Sequence, residues 1–417
     1  MLNNDNKYLY KLKQISSVEM ENKKTLLVLD WSNLLFRSLF MNSLYGQANG
    51  YNRIEDIRSF MYKFTTDVCS ILNIFKPTNV IIATDAQHAW RKDVLPGDDI
   101  TPGYKSNRKK ADNINWTNIF KCSDDLQDIL SKNCMHIAKI DHCEADDIAA
   151  MCKELIFEKF HDYNMIIVSA DADIRQLIDF NPVTNQYCIV YNTTGKGKGS
   201  KRHLYVSEGF EKWYNSTDSN FDIFFENEDL SKHYVKNLLK TNTVMEMTVE
   251  NPNDVVLDKI FCGDDGDCVP SFYNWYKDGR KVRITPGKEK KVREIIGINT
   301  VADLLDAKDK LKPVFEKVCK RDINDIDFDE RLNRQRTLVE LNSSLFPEYI
   351  QSYKSSLEYM INDIPVAGFW NVKSQTLLAG TEYEGYDKKK VIEAEVFKGM
   401  DKYINMNGTI KTNNLFE

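Results

Sequence analysis

Acidic residues that directly follow apolar runs are the part of this sequence best suited to chemistry. Three such runs end at Asp30, Asp85 and Asp171. Short apolar runs without alternation predict strands buried on both faces, and the helical stretches between them predict that these strands are parallel. Because ligands bind outside the carboxyl ends of the strands in an open parallel sheet, we expect the three carboxylates to lie at one functional edge.

Further acids are expected at the same edge. A fourth apolar run, residues 135–140, precedes Glu144-Ala-Asp146-Asp147, and Asp173 follows Asp171 by two positions. Taken alone, the first group is also typical of a helix start, where the helix dipole favours acids. Strand ends need no acid, however, and carboxylates this close repel one another unless cations neutralise them. The combined pattern therefore predicts a site for hard divalent ions such as Mg²⁺.

A site of this kind favours phosphoryl transfer. Two divalent ions about 4 Å apart can clamp the attacking and the leaving oxygen of an in-line displacement. One ion lowers the pKa of a bound water, and the other stabilises charge on the leaving oxygen. Such chemistry requires no serine or cysteine nucleophile, and none is evident in the sequence.

Composition indicates a globular protein of the cytoplasm. The chain has 417 residues, and its 42% apolar content is enough for a substantial core. No apolar run is long enough to span a membrane, the polar N-terminus lacks a signal-peptide core, and the nine cysteines are dispersed as reduced thiols would be. We therefore expect a cytoplasmic location, in the host if the gene belongs to a phage, and no membrane partner.

Charge is distributed unevenly along the chain, whose net charge is −6. Acids concentrate at the strand ends, whereas basic residues cluster at 91–92, 105–110, 196–202 and 280–293. An acidic centre ringed by basic patches is what a metal-dependent nuclease needs, because the metals take the carboxylates and the patches take the phosphates. The alternative is that each basic run is simply a solvated face.

The chain is predicted to consist of four regions in this order: a lead-in at 1–24, an α/β core at 25–250, a separate helical region at 251–345 and a helical C-terminal extension at 346–417. Within the core, the polar stretch 86–116 is interpreted as a mobile arch with short helices, leaving the active edge at Asp85. Residues 186–250 are interpreted as an insertion that begins with a hairpin, residues 186–206.

Six motifs follow one another between residues 25 and 300: Val28-Leu-Asp-Trp-Ser-Asn33, the strand ending at Asp85, Tyr104-Lys-Ser-Asn-Arg108, Glu144-Ala-Asp-Asp147, Ser169-Ala-Asp-Ala-Asp173 and Gly263-Asp-Asp-Gly-Asp267. Their order resembles that of the 5′-nuclease superfamily, which includes flap endonucleases and polymerase-associated 5′–3′ exonucleases. Residues 91–108 and 334–341 look most like the bacteriophage RNase H branch. The resemblance implies a PIN-like α/β fold with a parallel central sheet covered by helices on both faces. A helix–three-turn–helix subdomain and a helical C-terminal extension would follow.

The resemblance also implies the roles of individual residues. It implies metal ligation by nine carboxylates: Asp30, Asp85, Glu144, Asp146, Asp147, Asp171, Asp173, Asp264 and Asp267. It implies that Lys105 and Arg108 act on the scissile phosphate from the arch, and we count Arg91 with them as a catalytic cation. The implied cofactor is a pair of Mg²⁺ ions, with Mn²⁺ as a substitute.

Contacts with nucleic acid are expected from the arch and from the helical region. The expected DNA-binding residues are Tyr104, Lys105, Arg108, Gly263, Lys288, Lys290, Lys291 and Arg293. The last four follow Pro286-Gly287 at a predicted helix start, where backbone N–H groups also favour phosphate; the alternative is a solvated helix face. The family usually has Asn where this chain has Cys268, which affects one turn but not the carboxylates.

The last residues of the chain suggest a docking peptide. Leu415 and Phe416 lie at the end of a polar tail, where they can add little to a core. The pair resembles peptides by which phage replication proteins bind a sliding clamp, and such tethering raises the effective concentration of enzyme at DNA. A frayed or folded-back end is the alternative.

These patterns together predict a structure-specific 5′ nuclease that removes RNA primers or flaps in DNA replication by two-metal-ion catalysis. Its expected partners are DNA and RNA–DNA hybrids with branches or 5′ flaps, a sliding clamp and a single-strand-binding protein, and we expect a monomer. One alternative is a non-catalytic DNA-binding relative, which would lack ligands. The other, an aspartate-nucleophile phosphatase, would need a second acid two residues after Asp30, where the chain has Ser32.

Overall fold

The computed structural model describes the chain in these ranges: 23–41, 54–97, 102–112, 114–193, 202–216, 230–241, 245–272, 275–277, 280–282, 284–320, 328–363 and 373–384. Its strands are β1 (Lys24–Asp30), β2 (Asn79–Thr84), β3 (His136–Lys139), β4 (Tyr163–Val168), β5 (Asp179–Asn181), β6 (Gln186–Asn192), β7 (Arg202–Val206), β8 (Met245–Val249), β9 (Trp275–Lys277) and β10 (Arg280–Val282).

Fifteen α-helices lie in the same ranges: α1 (Trp31–Met41), α2 (Ile54–Phe75), α3 (Arg91–Val94), α4 (Trp116–Ser131), α5 (Ala145–Lys159), α6 (Glu208–Asn215), α7 (Leu230–Thr241), α8 (Pro252–Cys262), α9 (Pro286–Ile296), α10 (Val301–Asp306), α11 (Lys308–Cys319), α12 (Phe328–Val339), α13 (Glu348–Gln351), α14 (Lys354–Asn362) and α15 (Ser374–Leu378). Short 3₁₀ helices cover Asp173–Leu177 and Ser343–Leu345. None of these helices is long and apolar enough to cross a bilayer.

A mostly parallel sheet of eight strands organises the fold, as predicted. Its order is β3-β2-β1-β4-β6-β7-β8, and β5 pairs with β6. The five strands from β3 to β6 are parallel to one another, and β1 lies in the middle with Val28 between Ile81 of β2 and Ile167 of β4. Because open parallel sheets bind ligands outside the carboxyl ends of their strands, the expected site lies beyond the ends of β1, β2 and β4.

The central strands form because their apolar runs are buried on both faces. Leu26, Leu27, Val28 and Leu29 of β1 are fully buried, and so are the runs of β2 and β4. Helix α5 packs on this sheet and contributes a buried face that includes Ile148, Met151 and Leu155. Burying apolar surface of this kind stabilises the fold by about 25 cal/mol per Å², which fixes the strand ends that carry the acids.

The predicted hairpin exists, and strands of the segment around it extend the central sheet; whether this segment is an insertion stays a prediction. Strands β6 and β7 pair antiparallel, with Val190 opposite Tyr205. β6 is also paired parallel to β4, and β8 is paired parallel to β7, so three strands of the segment 186–250 extend the central sheet. The reason is that β6 is wholly buried, a property of a central strand rather than of a surface hairpin.

A second apolar cluster holds the helical region that follows β8. Helices α8, α9, α11 and α12 contribute Leu257, Phe261, Val292, Phe315 and Leu332, all almost fully buried. The short antiparallel pair β9–β10 lies between α8 and α9 in sequence.

The stretch 86–116 differs from the predicted mobile loop. Its buried residues Ala89, Leu95 and Tyr104 join the second apolar cluster, while Trp90 belongs to the apolar cluster of the central sheet. Few apolar residues occur in this polar stretch, but those few are large enough to anchor it. No strand forms among its described residues, as expected.

The chain divides into two compact units that do not follow the predicted domain boundaries. The first comprises Met1–Leu34, Ile74–Lys110 and Leu130–Trp370; the second comprises Leu35–Asn73, Ala111–Ile129 and Asn371–Glu417. Within the second, Tyr383 lies against Cys122 and hydrogen-bonds to Asp125. The predicted helix at 388–405 and the tail residues Leu415 and Phe416 lie outside the described residues.

Candidate active site

The strand ends place the predicted carboxylates at one edge of the first unit. Asp30 ends β1, and Asp85 follows β2. Hydrogen bonds connect neighbouring ends: Ser169, just after β4, donates from Oγ to Asp30 Oδ2 (2.7 Å), and the Ala145 N–H at the start of α5 donates to Asp85 Oδ1 (2.8 Å). These bonds join the end of β1 to the segment after β4, and the end of β2 to the start of α5.

Two groups of three carboxylates are close enough to share cations. Oxygens of Glu144, Asp146 and Asp147 lie within 4.8 Å of one another, and so do those of Asp173, Asp264 and Asp267. Residues from both groups line one pocket: Asp146, Asp173, Asp264 and Asp267, together with Arg91 and Tyr104. The loop of residues 263–267 therefore reaches the same edge as the strand ends, although it is distant from Asp173 in sequence.

The proton affinities of these acids show how strongly they are crowded. Burial and the neighbouring Asp85 raise the pKa of Asp30 to about 7. Burial raises the pKa of Asp173 to about 6, despite the opposing Lys259. Burial also raises the pKa of Asp146 well above its ordinary value, and Asp147 and Glu144 add to this. An all-oxygen donor set of this charge fits hard divalent cations such as Mg²⁺ and Mn²⁺.

Two arch residues reach the acids. The Lys105 ammonium hydrogen-bonds to Glu144 and lies 3.4 Å from Asp267, and the Arg108 guanidinium pairs with Asp267. The Lys105 backbone N–H also donates to the Asp267 carbonyl at 2.9 Å, which holds the arch backbone against the loop. Cationic side chains at the pocket rim agree with the predicted positions of Lys105 and Arg108, whose roles remain predictions.

Tyr104 is more deeply placed than its neighbours. It is 4% exposed, and its hydroxyl lies 2.9 Å from Glu144 Oε2 and 3.2 Å from Asp267 Oδ2. A single hydroxyl hydrogen can serve only one acceptor at a time. The predicted DNA-binding residue thus bridges the two carboxylate groups from inside the protein.

Arg91 is the most deeply buried of the predicted catalytic cations. Its side chain is 1% exposed and lies 3.1 Å from Glu144 Oε2 and 2.7 Å from Asp147 Oδ1. Burial disfavours its charge, but the surrounding carboxylates, Asp147 foremost, hold the pKa of Arg91 well above the ordinary value. Burying this charge would be costly without its carboxylates, and the catalytic role of Arg91 stays a prediction.

The loop after α8 owes its shape to a glycine. Gly263 has φ = 73°, and a Cβ there would lie 2.5 Å from the Val269 carbonyl oxygen. Asp264 then accepts the Gly266 N–H at 2.7 Å and pairs with Val269 across the loop. Gly263 was predicted to contact DNA. Its positive φ and the short Cβ distance show that the loop itself also requires a glycine at this position.

Lys259 is the residue of the site that sequence reasoning missed. It lies on α8, 2.8 Å from Asp173 Oδ1, and it also pairs with Asp264. Its signal in the sequence was a cation one helical turn before the Gly263 loop. Asn33, the last residue of the first motif, accepts the Ala170 N–H at 3.0 Å and so ties the first turn of α1 to the loop after β4.

The predicted duplex-binding cations do not all share one environment. Lys288, Lys290 and Lys291 are exposed at the start of α9. Arg293 instead pairs with Asp254 (2.7 Å) and Glu289, and only 12% of its side chain is exposed. The structure therefore leaves the three lysines accessible to a phosphate backbone and holds Arg293 within an ion-pair network.

Comparison with known proteins identifies a nuclease-domain match in the first half of the chain. The model of the 5′-3′ exonuclease N-terminal resolvase-like domain matches residues 25–211. Over 164 residues the chain is 27% identical to DNA polymerase I of Lactococcus lactis subsp. lactis (strain IL1403), and equally so to that of subsp. cremoris (strain MG1363). These alignments cover 39% of this chain but only 17% of each polymerase, so the chain matches about a sixth of their length.

Solved structures show the same fold. A variant of the D15 flap endonuclease of bacteriophage T5, in a pseudo-enzyme-product complex with DNA and metal ions, is 15% identical, with a TM-score of 0.50. The match covers 82% of this chain and 100% of that one. T5 5′-exonuclease with bound zinc is 16% identical over 81% of this chain and 99% of its own, with a TM-score of 0.48. Residues 25–211 thus match the exonuclease-domain model, and carboxylates within them and in the loop of residues 263–267 lie at one sheet edge.

Proposed function

We propose that this protein is a divalent-metal-dependent 5′ nuclease that hydrolyses phosphodiester bonds at the 5′ ends or flaps of DNA and RNA–DNA hybrids. The observation that carries the proposal is the meeting of two carboxylate groups and two arch cations around one pocket. A phosphate can approach such an acidic edge only if cations neutralise the acids first, and the match to the exonuclease-domain model agrees with this chemistry.

The acidic residues would hold the metal ions. Of the nine predicted ligands, Asp146, Asp173, Asp264 and Asp267 line the pocket, and Asp30 and Asp85 lie at the adjoining strand ends. The bound ions, Mg²⁺ or Mn²⁺, would supply Lewis acidity for displacement at phosphorus. The RNase H character, the replication role and the use of two ions are parts of this proposal.

The arch residues would act on the phosphate directly. Lys105 and Arg108 carry positive charge beside Glu144 and Asp267, where they could stabilise negative charge that develops on the transferred phosphoryl group. Tyr104 would hold Glu144 and Asp267 in place through its buried hydroxyl. Fixed charges of this kind need no rearrangement during the reaction, which is the main source of electrostatic catalysis.

The substrate would be recognised by its shape. Lys288, Lys290 and Lys291 are exposed at the N-terminus of α9 and suit contacts to the phosphate backbone. Phosphate contacts carry no sequence information directly, so specificity would come from the branch or the end. We further propose a monomer in the cytoplasm that meets a sliding clamp through Leu415 and Phe416, and a single-strand-binding protein.

Digestion of a 5′-labelled flap duplex tests this function. We expect cleavage with Mg²⁺ or Mn²⁺, none with EDTA, and binding without cleavage with Ca²⁺. The lengths of the labelled products separate exonuclease from flap-endonuclease action, and a matched RNA flap tests the preference for RNA. Tight binding without cleavage under every metal would instead support the non-catalytic relative.

A further inference from the structure

Asp147 stands apart from the other predicted ligands because both of its oxygens are engaged inside the protein. It is 0% exposed. Its Oδ1 lies 2.7 Å from Arg91 Nη2, and its Oδ2 accepts hydrogen bonds from Trp90 Nε1 and from the Glu144 N–H, each at 3.0 Å. Asp147 Oδ2 therefore accepts two hydrogen bonds, and Oδ1 forms a buried ion pair with Arg91 without hydrogen-bond geometry.

The neighbouring Asp146 shows the opposite environment. Its side chain is 26% exposed and lines the pocket with Asp173, Asp264 and Asp267. Asp147 is not among the residues described as lining that pocket. Successive residues at a helix start face different directions, so α5 presents one carboxylate to the pocket and the other to the core.

The groups around Asp147 form a rigid aromatic slot. The Arg91 guanidinium lies 4.7 Å from the Trp90 ring centroid and 5.8 Å from that of Phe346, and these two rings are 5.6 Å apart. Trp90 is 1% exposed, and its backbone N–H donates to the His142 carbonyl at 2.9 Å. These packed groups therefore have few alternative arrangements, and they fix the position of the Asp147 carboxylate.

We infer that Asp147 is a positioning residue rather than a metal ligand. Together with Trp90 and Arg91, it fixes the first turn of α5 so that Asp146 faces the pocket. Arg91 serves two carboxylates at once, since it also reaches Glu144 at 3.1 Å. The inference rests on the proposed function only for the identity of the ions that Asp146 binds.

Two asparagine variants separate an anchor from a ligand. In Asp147→Asn the amide NH₂ must face either Arg91 or the donors of Trp90 and Glu144, and both arrangements set donor against donor. We expect its melting temperature in EDTA to fall by about 5 °C or more. Asp146→Asn relieves repulsion between carboxylates, so its melting temperature in EDTA should stay level or rise.

Calorimetric titration with Mn²⁺ counts the bound ions, and this number distinguishes a positioning residue from a metal ligand. Asp147→Asn should bind the same number of ions as wild type, with an affinity reduced by about tenfold, which is typical of groups that orient ligands. Asp146→Asn should lose an ion. If Asp147→Asn keeps its melting temperature and loses an ion, as Asp146→Asn does, Asp147 is a ligand and the inference is overturned.

A milder variant protects the test against misfolding. Trp90→Phe keeps the aromatic slot but removes the indole N–H that donates to Asp147. We expect the Mg²⁺ concentration for half-maximal cleavage to rise about threefold with the maximal rate nearly kept, and Mn²⁺ affinity to fall in parallel. A wild-type Mg²⁺ dependence together with a wild-type Mn²⁺ affinity would contradict the positioning role of Asp147. The melting temperature in EDTA does not depend on cleavage. A protein that is inactive with every metal would overturn the proposed function, but the melting temperatures of Asp147→Asn and Asp146→Asn would still test this inference.

Discussion

The position of Lys105 leads to a specific kinetic prediction. Its ammonium lies between Glu144 and Asp267 at the rim of the pocket, where a cation can stabilise charge on the transferred phosphoryl group. Lys105→Ala should lower the single-turnover rate on a flap by at least about tenfold. Affinity for the flap, measured with Ca²⁺ in place of Mg²⁺, should change less. A variant that is weakened only in binding would assign Lys105 to docking.

Cys268 adopts a backbone conformation that cysteine disfavours. It has φ = 59°, in the left-handed region that Asn tolerates better than most residues. Cys268→Asn should therefore raise the free energy of unfolding by about 0.5 kcal/mol, measured by urea denaturation. Cys268→Ala keeps a Cβ without an amide and should show no gain. Equal shifts in the two variants would remove backbone conformation as the cause.

Sequence reasoning at the residue scale located acids well and cations poorly. The acids could be identified because each follows an apolar strand, and that pattern is local. The burial of Arg91 depends on Glu144 and Asp147, which are distant in sequence, and on the ring of Phe346. No local pattern distinguishes such a buried, compensated guanidinium from an exposed one, so the burial of Arg91 could not be predicted from sequence.

Among the elements, α9 carries the prediction about nucleic-acid binding. Lys288 and Lys291 are exposed near its N-terminus. Neutralising both should weaken duplex binding and make the salt dependence of log affinity shallower by about one to two units. The matched control replaces Lys310 and Lys317, which are exposed on α11, and should leave the slope unchanged. Equal slopes in wild type and the α9 variant would place the duplex elsewhere.

The same helix contains a buried acid that links stability to pH. Burial raises the pKa of Glu289 from its ordinary 4.5 to about 7, although Arg293 opposes this. The folded protein therefore holds this proton more tightly than the unfolded chain does. The resulting stabilisation is complete below about pH 4.5 and is lost as the pH rises through about 7.

Melting temperatures at pH 5 and pH 8 test this linkage. The melting temperature of wild type should fall over this interval by more than that of Glu289→Gln, because the amide cannot ionise. Glu294→Gln, an exposed position on the same helix, serves as the control and should follow wild type. If Glu289→Gln also follows wild type, Glu289 does not titrate in this range.

Elements with strong local signals were predicted closely, and elements fixed by distant pairing were not. Helix α2 begins and ends as its 3.6-residue period predicts, at Ile54 and Phe75. Strands β7 and β8 join the central sheet only because β6 offers a buried edge to β7. Their alternation predicts a strand but not its partner, which explains why the segment was interpreted as an insertion.

At the scale of the whole molecule, the fold class and the match to an exonuclease domain followed from the order of six motifs, whereas the division of the chain did not. The two compact units interleave three segments each. Packing between segments distant in sequence determines such a division, and composition carries little trace of it. The tail prediction for Leu415 and Phe416 concerns residues outside the described ranges and stays a prediction.

Single-turnover cleavage of a 5′-labelled flap, titrated with Mg²⁺, tests the central claim most directly. Wild type is compared with Asp171→Asn and with Glu158→Gln, whose side chain is exposed toward the far end of α5. We predict that wild type and Glu158→Gln cleave with the same Mg²⁺ dependence and that Asp171→Asn is slower by at least about a hundredfold. Cleavage by Asp171→Asn at the wild-type rate, or by wild type in EDTA, would contradict a metal-dependent nuclease at this sheet edge.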